Sequence, residues 1–502
     1  MTPPVVNPWL PWIVMTPLAG VMLSFLLPRR AAGIGLATSA AVAGASGLFV
    51  AHVARHGATR YAIGGWGAPL GIEFVADGLS AWLVGLGAVV GLAVSAYALS
   101  YFGPHAGGHD DDEGAHGRHD FWPLWLFLWA GLNALFVSGD IFNLYVTLEL
   151  LGFSAVALVA LAGTRDAITA AMRYMLASLL GSLSFLLGVA LIYGAYATLD
   201  LARLAEASRS DPATLVALTL MTAGLMIKGA AFPLHFWLPP AHSSAPAPVS
   251  ALLSALVVKA PFAILARLWF ESFASLNTAA LAAWLGALGA AALVWGGILA
   301  LRQARLKLLV AYSTVAQLGY LFLVFPLARE ADTGFTAWSG VMFFVAAHAA
   351  AKAAMFLAAG NVMHALGHDE LDRMAGLTRV LPRSAFALVL AGVSLMGLPP
   401  SGGFLAKWLL LHAAITRGEW WWVAGMLAGT ALAIAYIMRV VARMFAEPST
   451  PPQAAAVPAS MEWAALSLAT LAALMALAAV LPFDLLRIGA PVAGPLLFGG
   501  AP

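Results

Sequence analysis

Long apolar runs alternate with short polar segments along nearly the whole chain of 502 residues. Many of the runs reach about 20 residues, the length that an α-helix needs to cross the hydrocarbon core of a bilayer. They lack the strict alternation that is typical of barrel strands, so helices are predicted. We expect an all-α polytopic membrane protein with about fourteen transmembrane spans, at 8–27, 31–54, 77–102, 122–138, 141–162, 168–197, 213–238, 247–272, 278–301, 308–330, 336–366, 384–412, 419–446 and 461–488.

Three polar segments stand out between these spans. The Gly-rich stretch 55–74 predicts a short hairpin outside the bilayer, and 447–460 is typical of a flexible Pro/Ala linker. The stretch 104–120 is rich in His and Asp, residue types that bind divalent metals. Because its potential ligands have no fixed spacing, we predict a mobile, solvated loop there and no metal site.

Composition narrows the possible functions. Hydrophobic residues make up 62% of the chain and charged residues 10%, outside the range of soluble domains, and the net charge of +2 implies no nucleic-acid partner. The absence of cysteine excludes disulfides, thiolate-bound iron–sulfur clusters and covalent c-type haem in this chain. None of the lysines precedes Ser or Thr, so a phosphate-binding loop is absent and no cofactor is predicted.

The orientation follows from the basic residues in the loops. The first apolar run lacks a basic region before it, which suits a retained span better than a cleaved signal peptide. With the N-terminus outside, the cytoplasmic loops hold thirteen Lys and Arg residues, Lys307 among them, and the opposite loops hold eight, including Arg267. We therefore expect both termini outside.

The remaining basic residues are Lys228, Lys259, Lys352 and Lys407, and each lies inside a predicted span. Among the acidic residues, only Glu149 is predicted to lie deep in a span. A charge at mid-membrane costs roughly 2.5–3.5 kcal/mol on insertion scales, so these side chains should face one another across a hydrated interior. Lysines that move between burial and a charged partner can load and release protons, which predicts a proton relay.

Other polar residues lie beside these lysines. His348 precedes Lys352 by one helical turn and therefore shares its face. Secondary candidates at span entrances or beside prolines are Asp140, His235 and His242.

Each candidate also has a structural interpretation. Glu149 and Lys228 can form a static ion pair, and an isolated lysine can extend its amine towards the interface. That second alternative applies to Lys259 and Lys407. A third alternative is a simple hydrogen bond to a backbone carbonyl or to water. It applies to His348 with Lys352, to His235 and to His242.

Two spans are predicted to be broken. The segment 226–250 contains five prolines after Lys228, and 392–408 contains the PPSGG sequence just before Lys407. Lipid cannot satisfy the backbone groups that proline and glycine release, so such breaks belong beside polar cavities. Broken helices next to buried charges are typical of ion sites in transporters.

Several segments between 139 and 408 resemble one family in order and spacing: GDIFNLYVTLEL, KGAAFPLHFWLP with APAPVSALLSALVVKA, RLKLLVAYSTVAQLGYL, HAAAKAAMFLAAGN and GLPPSGGFLAKW. The family is that of the antiporter-like subunits shared by Mrp-type cation/proton antiporters, complex I and membrane-bound hydrogenases. Together with GGWGAPLGIEFVADGLSA, the first segment is most similar to the D subunits of Mrp-type antiporters.

The resemblance implies two inverted five-helix units, with helices seven and twelve broken. It implies that Glu149 and Lys228 are the gating pair, that Lys259 and the pair His348 and Lys352 continue the relay, and that Lys407 is the exit lysine. The chain then divides into 1–121 with three helices, the hairpin and the loop, units 122–272 and 278–446, and 447–502 with the linker and the last helix. Departures from the family pattern are Pro240, Arg305 and the insertion at 104–120.

The expected function is that of a proton-translocating subunit of a multisubunit Na+ or K+/H+ antiporter in the plasma membrane of a prokaryote. An alternative is a proton-pumping membrane-arm subunit of a complex I-like or hydrogenase-like oxidoreductase. Either assembly implies partner subunits, and this chain would hold no redox centre of its own.

Overall fold

The computed structural model describes residues 6–103, 112–448, 454–478 and 480–492, with the side chains of 112–119, 480 and 481 excepted. Its described part is helical apart from one two-stranded sheet. The α-helices are α1 Leu10–Leu26, α2 Ala31–His56, α3 Gly78–Tyr101, α4 Asp112–Phe136, α5 Ile141–Ala160, α6 Arg165–Tyr196, α7 Leu201–Ala207, α8 Pro212–Lys228, α9 Leu238–Ser244, α10 Ala247–Ala255, α11 Ala260–Arg267, α12 Ala279–Leu301, α13 Leu306–Phe322, α14 Val324–Leu327, α15 Gly334–Leu366, α16 Leu377–Val380, α17 Pro382–Met396, α18 Gly402–Thr416, α19 Trp420–Phe445, α20 Ala459–Leu474 and α21 Val480–Arg487.

Ten helical stretches in the described part are long and apolar enough to cross a bilayer. Four shorter apolar helices accompany them, namely α1, α8, α17 and α18. The most enclosed stretches are Ala247–Ser272 and Gly334–Leu366, whose most apolar windows are entirely buried within the protein. The predicted architecture, a mostly helical polytopic membrane protein, is confirmed.

The predicted hairpin is present. Strands β1 (Thr59–Ala62) and β2 (Glu73–Ala76) pair antiparallel, with Thr59 opposite Ala76. By contrast, the loop prediction for 104–120 is wrong in its second half, because α4 begins at Asp112. The first half of that loop, and residues 449–453 of the predicted linker, lie outside the described residues.

Both predicted breaks occur beside a buried lysine. Helix α8 ends at Lys228, and regular helix resumes only at Leu238. Helix α17 ends at Met396, where Gly397 takes a left-handed conformation with φ of 80° that glycine accommodates without strain. Helix α18 then begins after Ser401, whose hydroxyl caps it.

A further interruption was not predicted. The span at 247–272 contains a 3-10 turn at Val257–Lys259 and a π-helical turn at Leu268–Ser272. Lys259 therefore lies at an irregular point of its span, where backbone carbonyls are free to accept hydrogen bonds. The sequence beside this turn offers only Pro261, in the first turn of α11, as a signal of the irregularity.

Two glycines allow α6 and α8 to pack closely. A methyl group at Gly224 would overlap the carbonyl oxygen of Gly181. A methyl group at Gly181 would lie 2.8 Å from the carbonyl oxygen of Gly224 and 3.0 Å from Cγ of Lys228. This crossing therefore fixes the position of the Lys228 side chain.

We expect Gly224→Ala to destabilise the protein by about 1–3 kcal/mol, because overpacking at a backbone contact must separate the two helices. The measurement is the thermal unfolding of the purified complex in detergent. Gly194→Ala on α6 is the matched control, since a methyl group there meets nothing within 4 Å. Equal unfolding temperatures for the two variants would contradict the tight crossing.

Candidate functional site

Glu149 on α5 and Lys228 on α8 form an ion pair in the interior. The Lys228 Nζ atom lies 2.7 Å from Glu149 Oε1 and donates a second hydrogen bond to the Leu148 carbonyl oxygen at 3.2 Å. The Ser182 hydroxyl on α6 also donates to Glu149 Oε1. The Lys228 and Glu149 side chains are only 4% and 16% exposed. Three helices therefore meet at one partly shielded carboxylate.

A small cavity of about 10 Å³ adjoins Lys228, room for about one water molecule. Its lining includes Gly152, Ser178 and Tyr174 on one side, and Val257 and Pro261 on the other. Val257 and Pro261 flank Lys259 in the chain, so the cavity lies between Lys228 and the segment that carries the next lysine.

Lys259 is buried and its amine donates to the Ser254 carbonyl oxygen. The hydroxyl of the same serine is 2.9 Å from the Thr314 hydroxyl on α13. Thr314 in turn donates to the Val310 carbonyl oxygen at 3.0 Å. These contacts connect the irregular turn at 257–259 with α13.

Lys352 on α15 binds the same stretch of α13. Its amine donates to the Val310 carbonyl oxygen at 3.1 Å and to the Ser313 hydroxyl. Val310 therefore joins the Lys259 side of the network to the Lys352 side. In the described structure, neither Lys259 nor Lys352 forms an ion pair within 4 Å, and their partners are carbonyls and hydroxyls.

His348 lies one turn before Lys352 and is buried. Its ring stacks on Phe344 at a centroid distance of 5.7 Å, and neither ring nitrogen has a protein partner in the described structure. The charges of Lys259, Lys352 and Lys407 all act on this imidazole. Because buried polar atoms are nearly always hydrogen-bonded, bound water is expected beside it.

Lys407 on α18 reaches back across the second break. Its amine donates to the Leu395 carbonyl oxygen at 2.7 Å and to that of Met396 at 3.4 Å, at the end of α17. The amine also lies 4.9 Å from the centre of the Tyr320 ring and 3.4 Å from the Thr430 hydroxyl. The C-terminal carbonyls of a helix and an aromatic face both favour a cation here.

The structure places the secondary candidates differently. Asp140 caps α5, accepting a hydrogen bond from the Asn143 N–H at 2.7 Å, and lies about nine residues or roughly 14 Å along the helix from Glu149. Burial raises the pKa of Asp140, although the N–H groups of Asn143 and Phe142 oppose the shift. His235 lies half-buried in the turn after α8, where it stacks on Phe232.

His242 on α9 is fully buried, with neither ring nitrogen bonded to protein in the described structure. It stacks on Phe356 at 4.9 Å, and the charges of Lys307, Lys352 and Lys259 act on it. The prediction that Lys307 lies in a loop is wrong, because this residue lies in the first turn of α13. Lys307 is 3% exposed and donates to the Ala245 carbonyl oxygen at 2.5 Å, just after α9.

Other charged residues were also misplaced by sequence. Arg267, counted as a loop residue, is buried and binds both Asp77 oxygens, at 2.8 and 3.0 Å. Glu462, in the first turn of α20, is buried as well, with 8% exposure, and pairs with Arg383. Within the described part of the chain, His, Asp and Glu form no group of three that could hold a metal ion.

Residues 138–433 match the family model described as NADH:quinone oxidoreductase/Mrp antiporter, TM. The chain belongs to this family. The chain is 36% identical over 438 residues to the N subunit of the NADH-quinone oxidoreductase of Desulforudis audaxviator, covering 86% of this chain and 85% of that protein. It is 29% identical over 395 residues to the D subunit of the Na(+)/H(+) antiporter of Alkalihalophilus pseudofirmus, covering 76% and 74%.

A solved chain of the Mrp complex from Dietzia sp. has the same fold, with a TM-score of 0.85 at 22% identity over 95% of this chain and 97% of that one. The predicted family is therefore confirmed, with D-type and N-type subunits both among the relatives. This antiporter-like subunit is a membrane-arm protein of the Mrp or complex I kind, whose relatives are parts of multisubunit assemblies.

Proposed function

We propose that this antiporter-like subunit translocates protons through the row Glu149, Lys228, Lys259, Lys352 and Lys407, with His348 beside the row. One observation carries the proposal. Within the described part of the chain, three of the four lysines of the row are held by carbonyls and hydroxyls without a carboxylate within ion-pair distance. The ammonium form of a lysine is costly in such a place and the neutral form avoids that cost, so these side chains are suited to lose and regain a proton.

The ion pair of Glu149 and Lys228 controls entry of the proton into the row. While Glu149 is ionised, it stabilises the ammonium of Lys228 at 2.7 Å. When Glu149 takes up a proton, Lys228 loses that stabilisation and releases its own proton into the cavity lined by Val257 and Pro261, beside the Lys259 segment. The proton then passes across the α13 contacts to Lys352 and on to Lys407.

The wider architecture belongs to the same proposal. We infer fourteen membrane helices, with inverted five-helix units at 122–272 and 278–446 that each contain one broken helix, in the plasma membrane of a prokaryote with both termini outside. Without the buried Lys307 and Arg267, the counts of thirteen and eight basic residues become twelve and seven. The predicted cytoplasmic side keeps the larger number, which supports the orientation.

We place the subunit in a monovalent cation/proton antiporter, where the proton motive force drives Na+ or K+ export. Each proton that crosses 100 mV supplies about 2.3 kcal/mol for this work. A second candidate, the pumping arm of an NADH:quinone-type oxidoreductase, is favoured by the 36% identity to an N subunit. There the same row would be driven by electron transfer in partner chains.

Purification of the complex from its native membrane in mild detergent separates these candidates. A colourless assembly whose vesicles acidify or alkalinise when Na+ or K+ is added supports the antiporter. Flavin and iron–sulfur absorbance in the purified complex, with proton movement that depends on NADH, would assign the subunit to an oxidoreductase instead.

We expect Ser254→Ala and Thr314→Val each to slow proton-coupled transport about three- to tenfold. Each removes the 2.9 Å hydroxyl contact between the Lys259 segment and α13, and one hydrogen bond is worth about 1 kcal/mol net. Rates in vesicles, normalised to the amount of complex, are the measurement. Thr219→Val is the control, because that exposed hydroxyl bonds only its own helix at Leu215. Wild-type rates in both test variants would remove this contact from the route.

A further inference from the structure

The hydrogen bonds of Lys352 and Lys407 do not connect these two lysines, so the last step of the proposed route still needs a path. The two lysines lie on α15 and α18, and the hydrogen bonds that the structure assigns to them do not join them directly. His348 contacts Phe344 by stacking, and no hydrogen bond in the described structure links it to either lysine. Side chains of α13 and α19 contact the two lysines, since Lys352 bonds Ser313 and Lys407 bonds Thr430.

We propose that protons pass from Lys352 to Lys407 along hydroxyl groups on α13 and α19. The relay groups are Ser313, Tyr436, Tyr320 and Thr430, and Gln317 is a positioning residue. This inference rests on the proposed function and specifies its last step. It assigns a role in transport to α19, a helix that contributes none of the titratable residues of the row.

The first part of the connection begins at Lys352. Its amine donates to the Ser313 hydroxyl, and the Tyr436 hydroxyl of α19 lies beside the same serine. Gln317, one turn further along α13, donates from Nε2 to the Tyr436 hydroxyl at 3.1 Å. Tyr436 is fully buried and Gln317 is 1% exposed, so bulk solvent does not compete for these bonds.

The second part ends at Lys407. The Tyr320 and Thr430 hydroxyls are 2.8 Å apart, and the Lys407 amine donates to Thr430 at 3.4 Å. The same amine lies over the Tyr320 ring. Thr430 therefore contacts both Lys407 and the Tyr320 hydroxyl.

Gln317 links the two parts. Tyr320 follows it by three residues on α13, so both side chains lie on the same face of the helix. The two phenols, Tyr436 and Tyr320, are close enough to act on each other electrostatically. The Oε1 atom of Gln317 is buried and has no protein partner in the described structure, so it can accept a hydrogen bond from water held between the phenols.

The proton balance needs no other reactant. Lys352 gives up one proton and becomes neutral, and Lys407 accepts one and becomes an ammonium ion. Each hydroxyl between them, and the water molecule between the two phenols, takes a proton on a lone pair and releases one of its own. One O–H or N–H bond therefore forms for each that breaks. The phenols stay neutral before and after the transfer.

Conservative variants test the proposal in the intact complex. Thr430→Val and Tyr436→Phe retain size but lack the hydroxyl, and each is expected to slow proton-coupled transport in vesicles at least tenfold. Thr430→Ser restores the hydroxyl and is expected to restore most of the rate. Tyr97→Phe is the matched control, since this phenol is equally buried but bonds the Leu357 carbonyl oxygen, which is not a group of the proposed connection.

Three outcomes would overturn the proposal: wild-type rates for Thr430→Val and Tyr436→Phe, an equal loss in Tyr97→Phe, or no recovery in Thr430→Ser. Lys407→Met is assayed in parallel. Inactivity of that variant together with active hydroxyl variants rejects only this last step. Full activity of Lys407→Met would reject the proton row itself, so the two failures are distinguishable.

Discussion

Replacing Glu149 by glutamine is expected to abolish proton-coupled transport while the complex still assembles. Glutamine has nearly the same size, and its amide oxygen can still accept hydrogen bonds from Lys228 and Ser182. It neither carries the counter-charge nor takes up a proton. Removing one partner of a buried ion pair costs about 3–5 kcal/mol, so Lys228 becomes neutral and can no longer be switched. Transport should fall to the background of vesicles that lack the subunit.

The measurement is proton-coupled transport in vesicles, normalised to assembled complex on a native gel. Glu462→Gln is a matched control, because this glutamate is also buried in an ion pair. Its partner is Arg383, at 3.2 Å, which is not part of the lysine row. It is expected to retain transport. Lys228→Ala should be as inactive as Glu149→Gln. Undiminished transport by an assembled Glu149→Gln complex would remove the pair from the mechanism.

The sequence predicted the burial of the four lysines and of Glu149 because a charge within an apolar run is too costly to face lipid and must turn towards the protein interior. Each of the four lysines is at most 5% exposed. Both helix breaks were also predictable, since proline and glycine have direct backbone consequences. The contact between Glu149 and Lys228 required information beyond the pattern of a single span, because 79 residues separate them and only the fold brings α5 and α8 together.

Residues near helix ends were predicted poorly. Lys307 lies two residues after Arg305, and the local sequence is typical of a basic loop. The fold buries Lys307 because α13 packs against α9, and the lysine amine donates to the Ala245 carbonyl oxygen just after the end of α9. Arg267 is similar, since its carboxylate partner Asp77 lies 190 residues earlier in the chain. Hydropathy along one span contains no information about either partner.

The neutral groups between the lysines could not be predicted from the sequence for another reason. Serine, threonine and tyrosine occur in many membrane helices, where their hydroxyls usually bond the preceding turn. Ser254 and Thr314 differ only because their hydroxyls face each other across two helices at 2.9 Å. Any residue type can supply a backbone carbonyl acceptor such as that of Val310, so the sequence does not identify these groups. The proposed route therefore combines predictable titratable groups with connections that only three-dimensional packing defines.

Lys407→Met is expected to stop proton-coupled transport at the final step, with assembly retained. Methionine fills similar space but cannot donate to the carbonyl oxygens of Leu395 and Met396, which the lysine reaches at 2.7 and 3.4 Å. Leaving such acceptors without a donor costs about 1–3 kcal/mol if they stay buried. The variant should therefore unfold at a somewhat lower temperature, whereas the loss of transport should be complete.

Lys407→Arg separates the two effects, because arginine restores the donor and the positive charge but does not release its proton at physiological pH. We expect it to regain thermal stability without regaining transport. Arg417→Gln is the control for stability alone, since Arg417 also donates to helix-end carbonyls, those of Pro326 and Leu327 at 3.0 and 3.4 Å. A permanently charged group cannot release its proton. If Lys407→Arg transports protons at the wild-type rate, the role of this side chain is therefore to cap α17 rather than to carry the proton.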